Sequence, residues 1–463
     1  MAEALLYNHL MDYGESGIYP FHMPGHKLGK GLESFPLLKL DLTEISGMDN
    51  LYEAEGVIAK AQELAAATFA ADETVFLVNG STTGVIASVL GVCNPGDELI
   101  IARNSHCSAY HGMILGDIIP RYINPQVINE YGLLGGISTE DVREAVKSYP
   151  DAKAVFITSP TYEGFSSDIK KIADLCHSYG KLLIVDEAHG AHFNFHSAFP
   201  KSAVTCGADI VIQSLHKTLP ALTQSALLHF KGNRLDKNRV KQMIRLIQTS
   251  SPSYILMGMM DWLRSHLDER KDEIFNTYIE NLINFRDDLK DLKKIKLLEK
   301  ELNHRYAIEE IDISRLVFYT GRSNKSGLEI DKILRDHYKI QMELSSEIHF
   351  LGISTIVDTK EAFDYLAEVL IDLDKKLMIN EEKTDTYNVI YPISNVKISP
   401  REAFYSKKEK IPLEKSEGKI SAEFVVLYPP GIPILSPGEE ITRIHIEQII
   451  KGLKKKQIID VIV

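Results

Sequence analysis

Short apolar segments that alternate with helical stretches constrain the fold of this chain more than any other feature. Strand-like segments occupy residues 75–78, 99–102, 154–158, 182–185 and 210–212, and residues 53–70 show helical spacing. Strands that alternate with helices form parallel sheets with both faces covered. The sequence therefore predicts an α/β fold around a largely parallel sheet.

The composition supports sizeable cores and argues against some classes of partner. The chain has 463 residues, of which 44% are hydrophobic, enough for two or three domains. A net charge of −12 argues against broad binding to nucleic acid or to an anionic membrane. The four cysteines are too scattered for a disulfide scaffold, and no signal peptide or membrane-length apolar run is present. We expect a cytoplasmic enzyme that acts on a small molecule.

Two reactive side chains follow neighbouring predicted strands. Asp186 comes directly after residues 182–185, and Lys217 follows residues 210–212. The carboxyl ends of parallel strands share one edge of the sheet, where ligands bind. A lysine can form a Schiff base with the aldehyde of pyridoxal 5'-phosphate, and a carboxylate can keep the pyridine nitrogen protonated. The pair predicts a pyridoxal phosphate enzyme with Lys217 and Asp186 as catalytic residues.

A phosphate site is predicted where residues 75–78 give way to a helical run. Ser81, Thr82 and Thr83 lie at this junction, and free N–H groups at a helix start bind phosphate. The same residue types are also ordinary helix caps, which is the competing interpretation. Ser214 and His216 flank the lysine and could add donors to the phosphate.

Three further residues are candidates for contact with the cofactor ring. His106 could stack on the ring or transfer protons, although a lone histidine is more often structural. Ala188 is small enough to lie under a flat ring, and His189 could brace Asp186.

Two other interpretations of the segment 186–189 are weaker. Its sequence, DEAH, matches the nucleotide-hydrolysis motif of some helicases. That motif requires a Walker A segment, which does not occur in the sequence. His189, His192 and His196 have spacings that could suit a metal, but Gly190 and the neighbouring aromatic residues break a helical pattern. We expect no metal site.

Nine short motifs follow one another in a distinctive order. They are residues 22–27 (HMPGHK), 80–83 (GSTT), 103–106 (RNSH), 160–162 (PTY), 186–189 (DEAH), 214–217 (SLHK), 249–254 (TSSPSY), 400–404 (PREAF) and 428–433 (YPPGIP). This series resembles the bacterial Orn/Lys/Arg decarboxylases, which depend on pyridoxal phosphate and have the aspartate-aminotransferase fold (fold type I). The likeness is greatest to the short biosynthetic arginine decarboxylases, since the chain starts close to the first motif and leaves no room for a wing domain.

The resemblance implies a domain organisation. We expect a large domain with a mainly parallel seven-stranded sheet, a smaller α/β domain and a C-terminal domain. The expected ranges are 1–52 for an irregular N-terminal arm, 53–255 for the cofactor-binding domain, 256–378 for the small domain and 387–463 for the C-terminal domain.

The resemblance also implies a role for each motif residue. Lys217 would carry the cofactor, Asp186 would pair with its pyridine nitrogen and His106 would stack on its ring. The phosphate would be held by Thr82, Thr83, Ser214 and His216, with Thr249 and Ser251 reaching it from the other subunit. A homodimer or a higher homo-oligomer with shared active sites is therefore expected.

The implied reaction is decarboxylation of a basic amino acid, first of all L-arginine to agmatine and carbon dioxide in polyamine biosynthesis. Lysine or ornithine decarboxylation is the alternative, followed by an aminotransferase or lyase reaction on the same fold. A non-catalytic role would require that Lys217 fails to bind the aldehyde. Glu402 and Glu423 are the candidates for binding the basic side chain, and solvated surface glutamates are the competing interpretation.

Overall fold

The computed structural model describes residues 4–16, 36–380, 395–427, 432–453 and 456–463. The motif at residues 22–27 and residues 428–431 of the last motif lie outside the described residues. Within the described residues, no helix is long and apolar enough to cross a bilayer.

The first half of the chain alternates strands and helices, as the sequence predicts. The strands are β1 (Glu73–Leu77), β2 (Glu98–Ala102), β3 (Ile119–Ile123), β4 (Val127–Ile128), β5 (Leu133–Leu134), β6 (Ala154–Thr158), β7 (Phe165–Ser166), β8 (Leu182–Asp186), β9 (Ile210–Ser214) and β10 (Ala226–Phe230). The helices are α1 (Leu5–Glu15), α2 (Val57–Thr68), α3 (Gly80–Val92), α4 (Cys107–Gly116), α5 (Thr139–Ser148), α6 (Ile169–Ser178), α7 (Ala203–Cys206), α8 (Leu215–Thr218) and α9 (Lys237–Ile247).

A seven-stranded sheet in the order β1-β10-β9-β8-β6-β2-β3 organises this half. The strands from β9 to β3 are parallel, whereas β10 is antiparallel to both β9 and β1. This mainly parallel sheet confirms the predicted fold class.

Both faces of the sheet are covered by apolar side chains. Along β8, Leu183 and Val185 point into one buried cluster and Ile184 points into the other. Helices α3, α4 and α9 pack together on the Ile184 side, and α5, α6 and α7 pack on the opposite side. Parallel strands covered on both faces explain why the sequence shows continuous apolar runs rather than alternation.

The N-terminal segment differs from its prediction. Residues 5–15 form helix α1 rather than irregular structure, with Leu6 and Leu10 fully buried. The carboxylate of Asp261 accepts the backbone N–H of Leu6 at 2.9 Å and thereby satisfies a free donor at the helix start. This partner is 255 residues away, so local sequence does not reveal it.

Helix α2 is capped by a carboxylate from the preceding loop. Asp49 accepts the backbone N–H groups of Gly56 and Ile58, both at 2.9 Å. These bonds satisfy donors at the helix start, where Gly56 has no side chain to do so. The helix begins at Val57, four residues later than the periodicity predicts.

A second, smaller unit follows the long helix α10 (Tyr254–Asp288). Its strands are β11 (Lys296–Leu297), β12 (Glu310–Ile311), β13 (Arg315–Tyr319), β14 (Leu344–Ser345) and β15 (His349–Ile353), and its helices are α11 (Gly327–Tyr338) and α12 (Lys360–Lys376). Four of these strands form an antiparallel sheet in the order β11-β13-β15-β14, and β12 pairs with β7 of the large unit.

The C-terminal part contains helices α13 (Pro400–Tyr405) and α14 (Arg443–Gly452) and strands β16 (Lys408–Pro412), β17 (Val425–Leu427), β18 (Ile432–Leu435) and β19 (Ile458–Ile462). A buried ion pair joins it to the large sheet. Arg103, directly after β2, contacts Glu439 at 3.0 Å, and neither side chain is more than 1% exposed. Arg103 also donates to Tyr110 Oη and to the carbonyls of Pro433 and Ile434. The exact limits of the domains stay a prediction.

Candidate active site

The carboxyl edge of the sheet brings three predicted residues together. Asp186 is the last residue of β8, and Lys217 lies on α8 directly after β9, the parallel neighbour of β8. His106 caps the start of α4 after β2. Burial lowers the pKa of His106, while the Asp186 carboxylate raises it and Lys217 adds to the lowering. The three groups therefore share one electrostatic environment, as the strand order predicts.

Lys217 is surrounded by polar groups although it is largely withdrawn from solvent. Its Nζ lies 3.2 Å from Nε2 of His189. Burial lowers the pKa of Lys217, the Arg315 charge lowers it further, and the carboxylates of Asp186 and Glu343 oppose them. A lysine with a lowered pKa has a larger neutral fraction, which is the nucleophilic form.

His189 does not brace Asp186, contrary to expectation. Its Nε2 faces Lys217, and its Nδ1 lies 2.8 Å from Nη2 of Arg315. The Asp186 carboxylate instead accepts the backbone N–H of Ala188 at 3.1 Å. The turn after β8 thus supports the carboxylate through its own backbone, and Ala188 itself is buried.

The predicted phosphate site lies at the start of helix α3. Gly80 has a φ of +75°, and this conformation allows the chain to turn from β1 into the helix. Ser81 and Thr82 lie in the first turn, and neither hydroxyl has a hydrogen-bond partner within the described residues. Thr83 is buried, and its hydroxyl faces the carbonyl of Asn79 at 3.5 Å. Free donors at the start of a 13-residue helix suit an anion.

Unpartnered hydroxyl groups lie on the chain segments next to Lys217. The side-chain oxygens of Ser214, Thr218 and Ser225 are buried and have no partner in the described part of the chain. The ring of His216 contacts the Ser225 carbonyl through Nδ1 at 3.1 Å. Because a carbonyl only accepts, Nδ1 carries the proton and Nε2 is left available.

These groups fit pyridoxal phosphate. The cofactor needs a primary amine, a carboxylate and several phosphate donors, and the edge of the sheet supplies Lys217, Asp186 and the hydroxyl groups just described. A buried hydroxyl without a hydrogen-bond partner, such as that of Ser214, costs free energy. A ligand that accepts a hydrogen bond from this hydroxyl removes that cost.

Thr249 and Ser251 lie between α9 and α10, and both are exposed. The hydroxyl of Tyr52 donates to the carbonyl of Thr249, and the Ser251 backbone N–H donates to the Thr249 hydroxyl at 3.3 Å. Among the described residues, no hydrogen bond joins Thr249 or Ser251 to Lys217, Asp186 or His106. Their predicted contact with the phosphate of a second subunit stays a prediction.

Glu402 and Glu423 lie in the C-terminal part. Glu423 pairs with Lys456 at 3.0 Å and accepts the backbone N–H of Asp460. Glu402 is exposed on α13, a helix that packs against α4. Within the described residues, no hydrogen bond or ion pair joins either carboxylate to Lys217, so their substrate role also stays a prediction.

Three residues of this site were not predicted from the sequence. Arg315 is 1% exposed and reaches His189 from β13 of the smaller unit. The ring of Tyr162 packs against His189 with centroids 4.9 Å apart, and its hydroxyl donates to Glu343. Arg315 and Glu343 are far from Lys217 in sequence and belong to no short motif. Of these three residues, Tyr162 could have been identified from the sequence, because it lies in the motif at residues 160–162.

Two models of one protein family match this chain in succession. Residues 4–395 match the family model "Orn/Lys/Arg decarboxylase, major domain", and residues 383–457 match "Orn/Lys/Arg decarboxylase, C-terminal domain". An arginine decarboxylase of Bacillus subtilis is 35% identical over 459 residues, which cover 97% of this chain and 94% of the relative. The inducible lysine decarboxylase of Escherichia coli is 24% identical and is covered over 74% of its length.

Solved structures share the fold. The lysine decarboxylase LdcF of Francisella novicida superposes with a TM-score of 0.87 at 20% identity, and the match covers all of this chain and 81% of the other. An alanine–glyoxylate aminotransferase from Nostoc has a TM-score of 0.53 at 14% identity over 68% of this chain and 86% of its own. These neighbours are pyridoxal phosphate enzymes of fold type I, which confirms the predicted fold type. With both of its family models matched in order along the sequence, this chain belongs to the pyridoxal phosphate-dependent Orn/Lys/Arg decarboxylase family.

Proposed function

We propose that this protein binds pyridoxal phosphate at Lys217 and decarboxylates L-arginine to agmatine and carbon dioxide. The observation that carries the proposal is the convergence of Lys217, Asp186 and His106 at one edge of the sheet. The choice of arginine is supported by the 35% identity to an arginine decarboxylase over nearly the whole chain.

The chain's own residues have separate tasks in this proposal. When bound, pyridoxal phosphate supplies an aldehyde that links to amines and a ring that accepts the electron pair left by carbon dioxide. Asp186 holds the proton on the pyridine nitrogen, and Lys217 provides the amine that anchors the cofactor. His106 would contact the ring and, with Lys217, would be positioned to return a proton to the α-carbon.

A carboxylate at the site suits a basic substrate. Glu343 is exposed, accepts a hydrogen bond from Tyr162, and opposes the lowering of the Lys217 pKa. A guanidinium or ammonium group that approached Lys217 would meet this negative charge. We add Glu343 to Glu402 and Glu423 as a proposed contact for the distal cation. Lysine and ornithine would be attracted by the same charge and are the alternative substrates.

The test is identification of the amine formed from arginine, lysine or ornithine in the presence of pyridoxal phosphate. Agmatine from arginine alone is the expected result. Cadaverine or putrescine would show that the substrate is lysine or ornithine, while the reaction would still be a decarboxylation. Lys217→Ala should abolish both turnover and covalent cofactor attachment. Lys60→Ala, which changes an exposed lysine on α2, is the matched control and should behave like the parent.

If no carbon dioxide is released although the cofactor is bound, the decarboxylase proposal is wrong. An aminotransferase or lyase reaction would then be tested with the same substrates plus an oxo-acid acceptor. A polyamine-biosynthetic role, a cytoplasmic location and a homodimeric or larger assembly with shared sites remain part of the proposal.

A further inference from the structure

A line of buried polar side chains leads from Lys217 into the smaller unit. Nζ of Lys217 lies 3.2 Å from Nε2 of His189, and Nδ1 of the same ring lies 2.8 Å from Nη2 of Arg315. Arg315 also donates to the carbonyl of His189 at 3.3 Å, and its Nε lies 3.8 Å from the carboxylate of Asp312. Arg315 is 1% exposed and Asp312 is fully buried. The contacts of Arg315 are therefore shielded from water.

The guanidinium decides which nitrogen of His189 carries the proton. Arginine has only N–H donors and stays charged in proteins. The ring nitrogen that it contacts must therefore accept, so Nδ1 of His189 presents a lone pair. A neutral imidazole has one N–H group, which leaves the proton on Nε2, the nitrogen that faces Lys217.

The opposite arrangement places two donors against each other. If Lys217 were an ammonium group that donates to Nε2, the neutral ring would carry its proton on Nδ1, which would point at an Arg315 N–H group 2.8 Å away. If the ring were an imidazolium, its charge would lie between a guanidinium and a lysine in a buried site. Burial, which is the largest cause, holds the pKa of His189 well below its ordinary value, and the Arg315 charge adds to the lowering.

We propose that Arg315 is a positioning residue that fixes His189 as the neutral Nε2–H tautomer, so that His189 donates to Lys217 and keeps the lysine amine neutral. This inference rests on the proposed function, because its purpose is to prepare Lys217 for the cofactor. A neutral amine has the lone pair that adds to an aldehyde carbon, and the condensation forms one C=N bond and releases one water.

The surrounding chain holds Arg315 in place. Gly164 has a φ of +88°, and a Cβ at this residue would lie 2.5 Å from Cγ of Arg315. The ring of Tyr162 also packs against His189. The charged or titratable groups that face the imidazole from the neighbouring elements are Lys217, Arg315, His106, His216 and Tyr162.

The first test is the tautomer of His189 in the full-length, cofactor-free chain. Nitrogen-15 NMR of histidine-labelled protein separates protonated from unprotonated ring nitrogens, and a His189→Gln sample assigns the signals. We expect a proton on Nε2 and none on Nδ1. A proton on Nδ1, or on both nitrogens at neutral pH, would overturn the proposal. This measurement needs no Arg315 variant and does not depend on any reaction.

The second test changes the partner of Nδ1. Arg315→Gln offers an amide that can accept as well as donate, so His189 should populate both tautomers. Arg315→Lys keeps a donor-only group and should restore the Nε2–H form. Arg270→Gln, at an exposed arginine on α10, is the matched control. An unchanged tautomer in a folded Arg315→Gln variant would contradict the proposed role.

The state of the amine is read from covalent labelling of Lys217. Cofactor attachment trapped by borohydride and located by mass spectrometry should reach half its maximal rate about one pH unit higher in Arg315→Gln than in the parent. An unshifted profile would overturn the claim that Arg315 keeps the amine neutral. If the expected tautomer and shift are found but no amino acid is decarboxylated, the proposed function fails while this inference stands.

Discussion

Removal of the Glu439 carboxylate should loosen the C-terminal part from the large sheet. Glu439→Ala leaves the Arg103 guanidinium charged and without its carboxylate in a fully buried place. It also takes away the acceptor of the Ser436 backbone N–H at 3.0 Å. Breaking one side of a buried ion pair costs about 3–5 kcal/mol, so we expect a loss of this size in the free energy of unfolding. Glu439→Gln, which keeps an acceptor, should lose less.

Urea denaturation measures the loss, and hydrogen exchange at β18 shows whether the C-terminal part opens first. A double-mutant cycle with Arg103→Met should show that the two losses are not additive, because each single change leaves the other charge unpaired. Glu447→Ala breaks the exposed Arg443–Glu447 pair and should cost about 0.5 kcal/mol or less. Equal effects of Glu439→Ala and Glu447→Ala would refute the reasoning.

Three further predictions concern the site and the N-terminal region. Asp186→Ala should retain some bound cofactor, seen by its visible absorbance, but lose most turnover, because nothing then holds the ring nitrogen protonated; near-normal turnover would exclude the role given to Asp186. Glu343→Gln should raise KM for a basic substrate about twofold to fivefold with little change in kcat, as expected for an exposed charge pair, and Glu347→Gln is the control. Burial raises the pKa of Asp49, but backbone N–H groups outweigh burial and leave it below the ordinary value of 3.8. Its contribution to stability is therefore complete above about pH 4 and is lost as pH falls through the folded pKa, so acid titration of Asp49→Asn should lack this component, and parallel acid-unfolding curves would contradict it.

The strands that carry the site could be predicted because their apolar runs are continuous. All five predicted segments coincide with sheet strands to within two residues, which placed Asp186 and Lys217 at the same edge. Strand β10 was missed because the buried His229 interrupts its apolar run; in the fold, Thr74 and Gln213 satisfy that ring. Strand β3 contains Pro120, which suits its position at the sheet edge but obscures the strand pattern.

The residues that the smaller unit contributes to the site could not be predicted in the same way. Arg315 and Glu343 reach the His189 region only because the smaller unit packs against the loops of the larger one. Neither residue has a local signature, since spacing and periodicity report on neighbours along one element. The expected partner of His189 was wrong for the same reason. Its actual partner, Arg315, lies 126 residues further along the chain.

Residues 215–225, which begin with α8, connect β9 to its antiparallel neighbour β10, and Ser214 lies opposite Ala226 in the pairing of these strands. The segment that carries Lys217 is therefore anchored in the central sheet at both ends. A shift of its backbone would disturb the hydrogen bonding of both β9 and β10. Glu343 and Arg315, in contrast, belong to the smaller unit. To change the amine that this scaffold accepts, substitutions should therefore be made around Glu343, while Arg315 and residues 215–225 are kept.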